Sequence, residues 1–127
     1  VYVMYLLDTH VLIWALFDSE KLPDEVRKLL NENSRCISIV SLWEMAIKNS
    51  LGKLKLPWSI RKIAEYCEDN DIEILHIKAD DCEEVRILPF IHRDPFDRII
   101  VAQARTNDVT IITKDGYIPQ YDVKTIW

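Results

Sequence analysis

Short β-rich apolar runs recur along this chain, each followed by a stretch with helical spacing, and this alternation constrains the fold more than any other feature. The runs fall at residues 2–7 (YVMYLL), 36–40 (CISIV), 72–77 (IEILHI) and 109–113 (VTIIT), with a last short one near 123–126. The first is apolar on both faces and too short for a buried helix, as a central strand of a parallel sheet would be. Between the runs, Leu22, Val26, Leu29 and Leu30, then Ile60, Ile63, Ala64 and Cys67, then Ala79, Cys82 and Val85 repeat at helical spacing. Segments 9–17, 41–54 and 95–106 read as further helices, with Pro23 near one helix start and Gly52 as a C-terminal cap. Strands joined through helices require crossovers, which cover a mostly parallel sheet on both faces. The expected class is α/β, with a central sheet of four to five strands in one domain over 1–127. That length matches a single core.

Composition narrows the function classes. No apolar run approaches the roughly 18–20 residues that span a bilayer. The apolar start lacks a basic leader and is broken by Asp8 and His10, so it reads as strand and helix rather than signal peptide. Cys36, Cys67 and Cys82 are odd in number, widely spaced and set among apolar residues. They are expected to be buried thiols of a reducing compartment, with the cytoplasm as the expected location. A net charge of −5 argues against a broad nucleic-acid surface but leaves room for a small basic rim around an acidic centre.

The acids carry the functional argument. Asp8 closes the first run, with Thr9 placed to cap the next helix. Ser41 and Glu44 form SLWE, the pattern of a capping box. DPFD places Asp94 as N-cap, Pro95 first in the helix and Asp97 third; Asp115 directly follows the fourth run. Any one of them is explained as a cap stabilised by the helix dipole, by about 0.3–1 kcal/mol. Together, Asp8, Glu44, Asp97 and Asp115 come from four junctions that a parallel sheet brings to one edge. Two carboxylates about 4 Å apart repel by about 4 kcal/mol at an effective dielectric near 20, so such a cluster needs raised pKa values or a cation. All-oxygen ligands point to Mg²⁺ or Mn²⁺ rather than zinc, and such an ion activates water for attack on a phosphodiester.

The segments YLLDTHVLIWAL, SLWEMAIKNSLGKLKLP, LPFIHRDPFDRIIVAQA and IITKDGYIPQYDV resemble, in order and spacing, the PIN-domain ribonucleases, especially the VapC-like toxins of toxin–antitoxin pairs. The resemblance implies a PIN fold and a Mg²⁺- or Mn²⁺-dependent endoribonuclease whose catalytic and metal-binding acids fall on Asp8, Glu44, Asp97 and Asp115. It also implies a cognate antitoxin covering the site, and toxin dimerisation or a toxin–antitoxin hetero-oligomer. Asp94 is auxiliary and is read as an N-cap, joined by an Asp94–Arg98 pair at helical spacing. Thr9 and Thr113 are read either as orienting carboxylates and water or as plain hydroxyl caps.

Weaker signals surround these. His10 and His92 neighbour the acids and would either contact phosphate or shuttle a proton, or else pack and cap. Lys48, Arg93 and Arg98 are candidate RNA-binding residues, with Lys53 and Lys55 extending a basic rim; Lys48 equally forms an ordinary pair with Glu44 four residues earlier. Trp14, Phe17, Trp43 and Trp58 offer either core or an apolar groove for a partner. Two other readings stay open: a structure-specific DNA nuclease, and a non-enzymatic partner-binding domain. A receiver domain fits poorly, because no acid stands at the end of the third run to accept a phosphoryl group.

Overall fold

The computed structural model describes residues 3–127. Tyr2, expected to open the first strand, lies outside the described residues. Five strands make one wholly parallel sheet: β1 (Met4–Leu7), β2 (Ser34–Ser38), β3 (Ile72–Leu75), β4 (Thr110–Ile112) and β5 (Thr125–Ile126). They are separated by α1 (Thr9–Phe17), α2 (Asp24–Glu32), α3 (Ile39–Ser50), α4 (Ile60–Asp69), α5 (Ala79–Ile87) and α6 (Pro95–Asn107). The strand order is β3-β2-β1-β4-β5. The chain thus builds outward from β1 in one direction, then returns to lay β4 and β5 on its other side. In open α/β sheets the crevice beyond the strand ends at such a reversal is where ligands collect; here it lies between β1 and β4.

Alternation along the central strands divides the core. Leu7 and its register partners Ile37 and Ile112 pack with Val11, Leu12, Val26, Leu30, Met45 and Ile63. The preceding residue Leu6, with Cys36 and Ile111, packs with Ile100, Val101, Ala104 and Ile118. Both faces of the sheet are therefore covered, which is why its strands read as apolar runs without polar alternation.

Two sequence expectations change. The second strand ends at Ser38 and α3 starts at Ile39, so Ser41 lies inside the helix and SLWE is not its capping box. Ser38 has the extended backbone and the hydroxyl that a cap requires, and its Oγ accepts from Val40 N at 3.0 Å. The β-branched Ile39 and Val40 prolong the strand pattern, yet Val40 is buried within the first helical turn, where packing outweighs propensity. Glu44 consequently sits in the second turn. Cys82 is exposed on α5, whereas Cys36 and Cys67 are buried as expected. Gly52, at φ +73° just past the end of α3, occupies the left-handed position that glycine adopts without strain.

Candidate active site

At the carboxyl edge of the sheet, one threonine joins the ends of β1 and β4. Thr113 Oγ1 donates to Asp8 Oδ2 and accepts from the Asp115 backbone N–H at 2.9 Å. Asp8 Oδ1 accepts from His10 N at 2.8 Å, so this carboxylate caps α1 with one oxygen and is pinned by Thr113 through the other. Asp8 is only 5% exposed. Burial pushes its carboxyl above the usual range, opposed in part by the bonds from Thr113 and His10. Asp115 Oδ2 accepts from Tyr117 N and Ile118 N, both at 2.8 Å, ordering the turn that follows β4.

Asp97 comes to the same place from α6. Asp94 caps that helix, its Oδ1 accepting from Phe96 N at 2.9 Å and Asp97 N at 3.2 Å. With Pro95 in the first turn, the helix start is the one DPFD implies. The capping box is left half-made, because Asp97 Oδ2 meets His92 Nε2 at 3.0 Å instead. Burial first, and then the charges of Asp94, Asp115 and Asp8, push the Asp97 carboxyl up to about 6 against the lowering effect of the His92 bond. One ligand-capable atom each from His92, Asp97 and Asp115 falls within 4.8 Å of the others.

Glu44 reaches the cleft from α3. It is buried, and its Oε2 accepts from Lys48 Nζ at 2.6 Å, the bond that chiefly raises the lysine's pKa. Lys48 thus makes the i,i+4 pair with Glu44, and it also stands on the wall of the cleft. Thr9 does not cap with its hydroxyl, which is paired with Ser41 Oγ at 2.8 Å and ties α1 to α3. Asp8, Glu44, Asp94, Asp97 and Asp115 all line one cleft of about 480 Å³, with Lys48 and Lys114 also on its wall.

Arg98 corrects an expectation. It is buried, pairs with no aspartate, and is spent on carbonyls: Nη1 donates to Pro89 O at 2.8 Å, and Nη2 to Val85 O and Leu88 O at 3.3 Å each. These carbonyls lie at and beyond the end of α5, so the planar fork serves as a clamp on that helix end rather than as an RNA contact. Arg93 is exposed, as a rim residue would be. His10 is exposed above Trp14, at 6.0 Å between ring centroids, and His76 lies exposed just past β3. Trp14, Phe17 and Trp58 pack against the core, whereas Trp43 is 60% exposed and meets Phe96 edge-on. Tyr121, which the sequence reading passed over, is buried with its hydroxyl bonded to both His92 and Arg98.

The donor set suits a hard divalent ion. Asp8 is a buried and Asp97 a half-buried carboxylate, and burial and like charges hold both pKa values high, a deficit that a cation would relieve. A parallel α/β sheet that draws carboxylates from separate junctions into one crevice at its reversal point defines an acidic-site α/β domain. Within that class, the chain belongs to the PIN domain family, whose model matches residues 5–124. No curated protein sequence matches it. Among solved structures, the fold is similar to VapBC2 from Rickettsia felis bound to a promoter DNA fragment, with TM-score 0.71, 17% identity and 98% of each chain covered. It is also similar to VapBC-1 from nontypeable Haemophilus influenzae, with TM-score 0.69, 19% identity, and 98% of this chain and 97% of the other covered. FitAcB from Neisseria gonorrhoeae gives TM-score 0.63 at 19% identity over 98% and 97% of the two chains. At such identities the likeness is one of fold.

Proposed function

We propose that this protein is a metal-dependent endoribonuclease, the toxin of a toxin–antitoxin pair. The observation that carries the reading is that Asp8, Glu44, Asp97 and Asp115 line one cleft although they leave four different elements of the chain. Parallel topology alone gathers caps at this edge, but Glu44, in the second turn of α3, caps no helix and still lines the cleft. Asp8, Glu44, Asp97 and Asp115 would hold Mg²⁺ or Mn²⁺, which when bound supplies Lewis acidity toward phosphate and activation of water.

The chain's own residues do the remainder. Thr113 fixes the orientation of Asp8 and, through the backbone of Asp115, the start of the turn that carries it. Lys48 and Lys114 on the cleft wall, with exposed Arg93 nearby in sequence, offer positive charge to the RNA backbone without reading its bases. Single-stranded loops are the substrate class such an open cleft suits, since their bases can be splayed. A cognate antitoxin is supported by the similar structures, one of which is a toxin–antitoxin complex from Klebsiella pneumoniae. Association as a homodimer or toxin–antitoxin hetero-oligomer in the cytoplasm completes the reading, and no helix among the described residues is long and apolar enough to cross a membrane.

The test is cleavage of RNA by partner-free protein in Mg²⁺, Mn²⁺ and EDTA, with Asp8→Asn alongside. Metal-dependent cutting lost in the variant is the expected result; equal cutting by the variant, or preference for single-stranded DNA in competition, would sink it.

A further inference from the structure

A chain of hydrogen bonds leads from the interior to Asp97, and its donors determine one another. Arg98 Nη1, always a donor, bonds the Tyr121 hydroxyl oxygen at 3.1 Å, and the His92 backbone N–H approaches the same oxygen at 3.4 Å. That oxygen therefore accepts twice, so the Tyr121 proton must be the one shared with His92 Nδ1, 2.8 Å away. Nδ1 is then an acceptor, the imidazole proton lies on Nε2, and Nε2–H donates to Asp97 Oδ2. Tyr117 lies nearly parallel to the imidazole, with centroids 5.0 Å apart and planes 14° apart, which holds the ring from its face. Asp97 Oδ1 carries no hydrogen bond among the described residues.

We propose that His92 is a positioning residue: fixed as the Nε2–H tautomer by Tyr121 and Arg98, it occupies Asp97 Oδ2 and leaves Oδ1 as the oxygen available to a cation. Metal-holding groups are oriented by such outer partners, usually a carboxylate behind a histidine. Here the order is reversed, with a histidine behind the carboxylate. The competing role, His92 as itself a ligand through Nε2, requires the proton on Nδ1. Tyr121 would then accept three donors and have no acceptor for its own proton. The metal part of this proposal rests on the reading above, whereas the tautomer does not.

The experiment has a metal-free arm and a metal arm. In metal-free protein, the imidazole ¹⁵N spectrum of His92 should show the Nε2–H tautomer, and Tyr121→Phe should abolish that preference while thermal melting confirms a folded chain. An Nδ1–H tautomer in the wild type, or a spectrum unchanged in Tyr121→Phe, would overturn the proposal. With Mn²⁺, His92→Ala should weaken binding by about 10-fold or more. His92→Gln, whose amide can donate from near the Nε2 position, should recover most of it. Loss of the Nε2–H signal on saturation with Mg²⁺, which is diamagnetic and does not broaden neighbouring resonances, would make His92 a ligand and overturn the positioning role. The assigned tautomer with no Mn²⁺ binding by the wild type would instead overturn the metal reading and leave His92 as an anchor of Asp97 alone.

Discussion

Asp97 is a residue the fold tolerates at a cost. Its carboxyl is held at about 6, against an ordinary value of 3.8, and Asp8 is raised as well. For such acids the protonated form favours the folded state, so their stabilisation is present below about pH 4 and is lost as pH rises, for Asp97 through about 6. Melting in EDTA should accordingly show these groups making the protein less stable near pH 8 than near pH 5. Asp97→Asn should raise Tm near pH 8 by about 2–4 °C and flatten the pH dependence, because the amide oxygen still accepts from His92. The same variant should abolish cleavage; a variant that cuts normally would remove Asp97 from the mechanism. Thr113→Val should reduce cleavage about 10-fold or more and Thr113→Ser restore it, since only the hydroxyl bridges Asp8 and Asp115. Asp8 and Asp115 were legible because each follows an apolar run, Asp97 because DPFD marks a helix start, and Glu44 because SLWE looks like one although it is not. Tyr121 was not, as its partners Arg98 and His92 lie 23 and 29 residues away and no local pattern joins them.

At the scale of elements, the start of α6 separates capping from charge. Asp94→Ala should cost about 0.5–2 kcal/mol in denaturant unfolding, whereas Asp94→Asn, an equally good cap, should cost almost nothing. If Asp94→Asn also cleaves normally, the residue is a cap; a large loss of cleavage would place its charge in the site. Arg98→Lys should destabilise by roughly 1–3 kcal/mol, because lysine lacks the planar fork whose two terminal nitrogens reach Pro89 O on one side and Val85 O and Leu88 O on the other. The helices and strands were readable to within a few residues, since Leu6 and Leu7, Ile111 and Ile112 bury opposite faces of one sheet. The α3 start escaped, as Ile39 and Val40 look like strand and only packing makes them helix. Arg98 escaped for a related reason: a lone arginine beside an acidic motif looks like surface until the end of α5 is seen beneath it.

For the whole molecule, any ion that binds only the folded state shifts unfolding by mass action, by about 2.7 kcal/mol at a hundredfold excess over Kd. Mn²⁺ should therefore raise the wild-type Tm in a concentration-dependent way and leave an Asp8→Asn, Glu44→Gln double variant unmoved; an equal shift in both would put the ion elsewhere. The sheet order also has a consequence for how the protein comes into being in a cell. Asp8 and its partner Thr113 are 105 residues apart, and β4 must insert beside β1 before they meet. A ribosome adding about 5–20 residues per second needs several seconds between exposing Glu44 and exposing Asp115. Through that interval the nascent chain holds two and then three of its four acids and lacks the Thr113 bridge, so whatever activity the finished cleft has is withheld until the segment around Asp115 has been made.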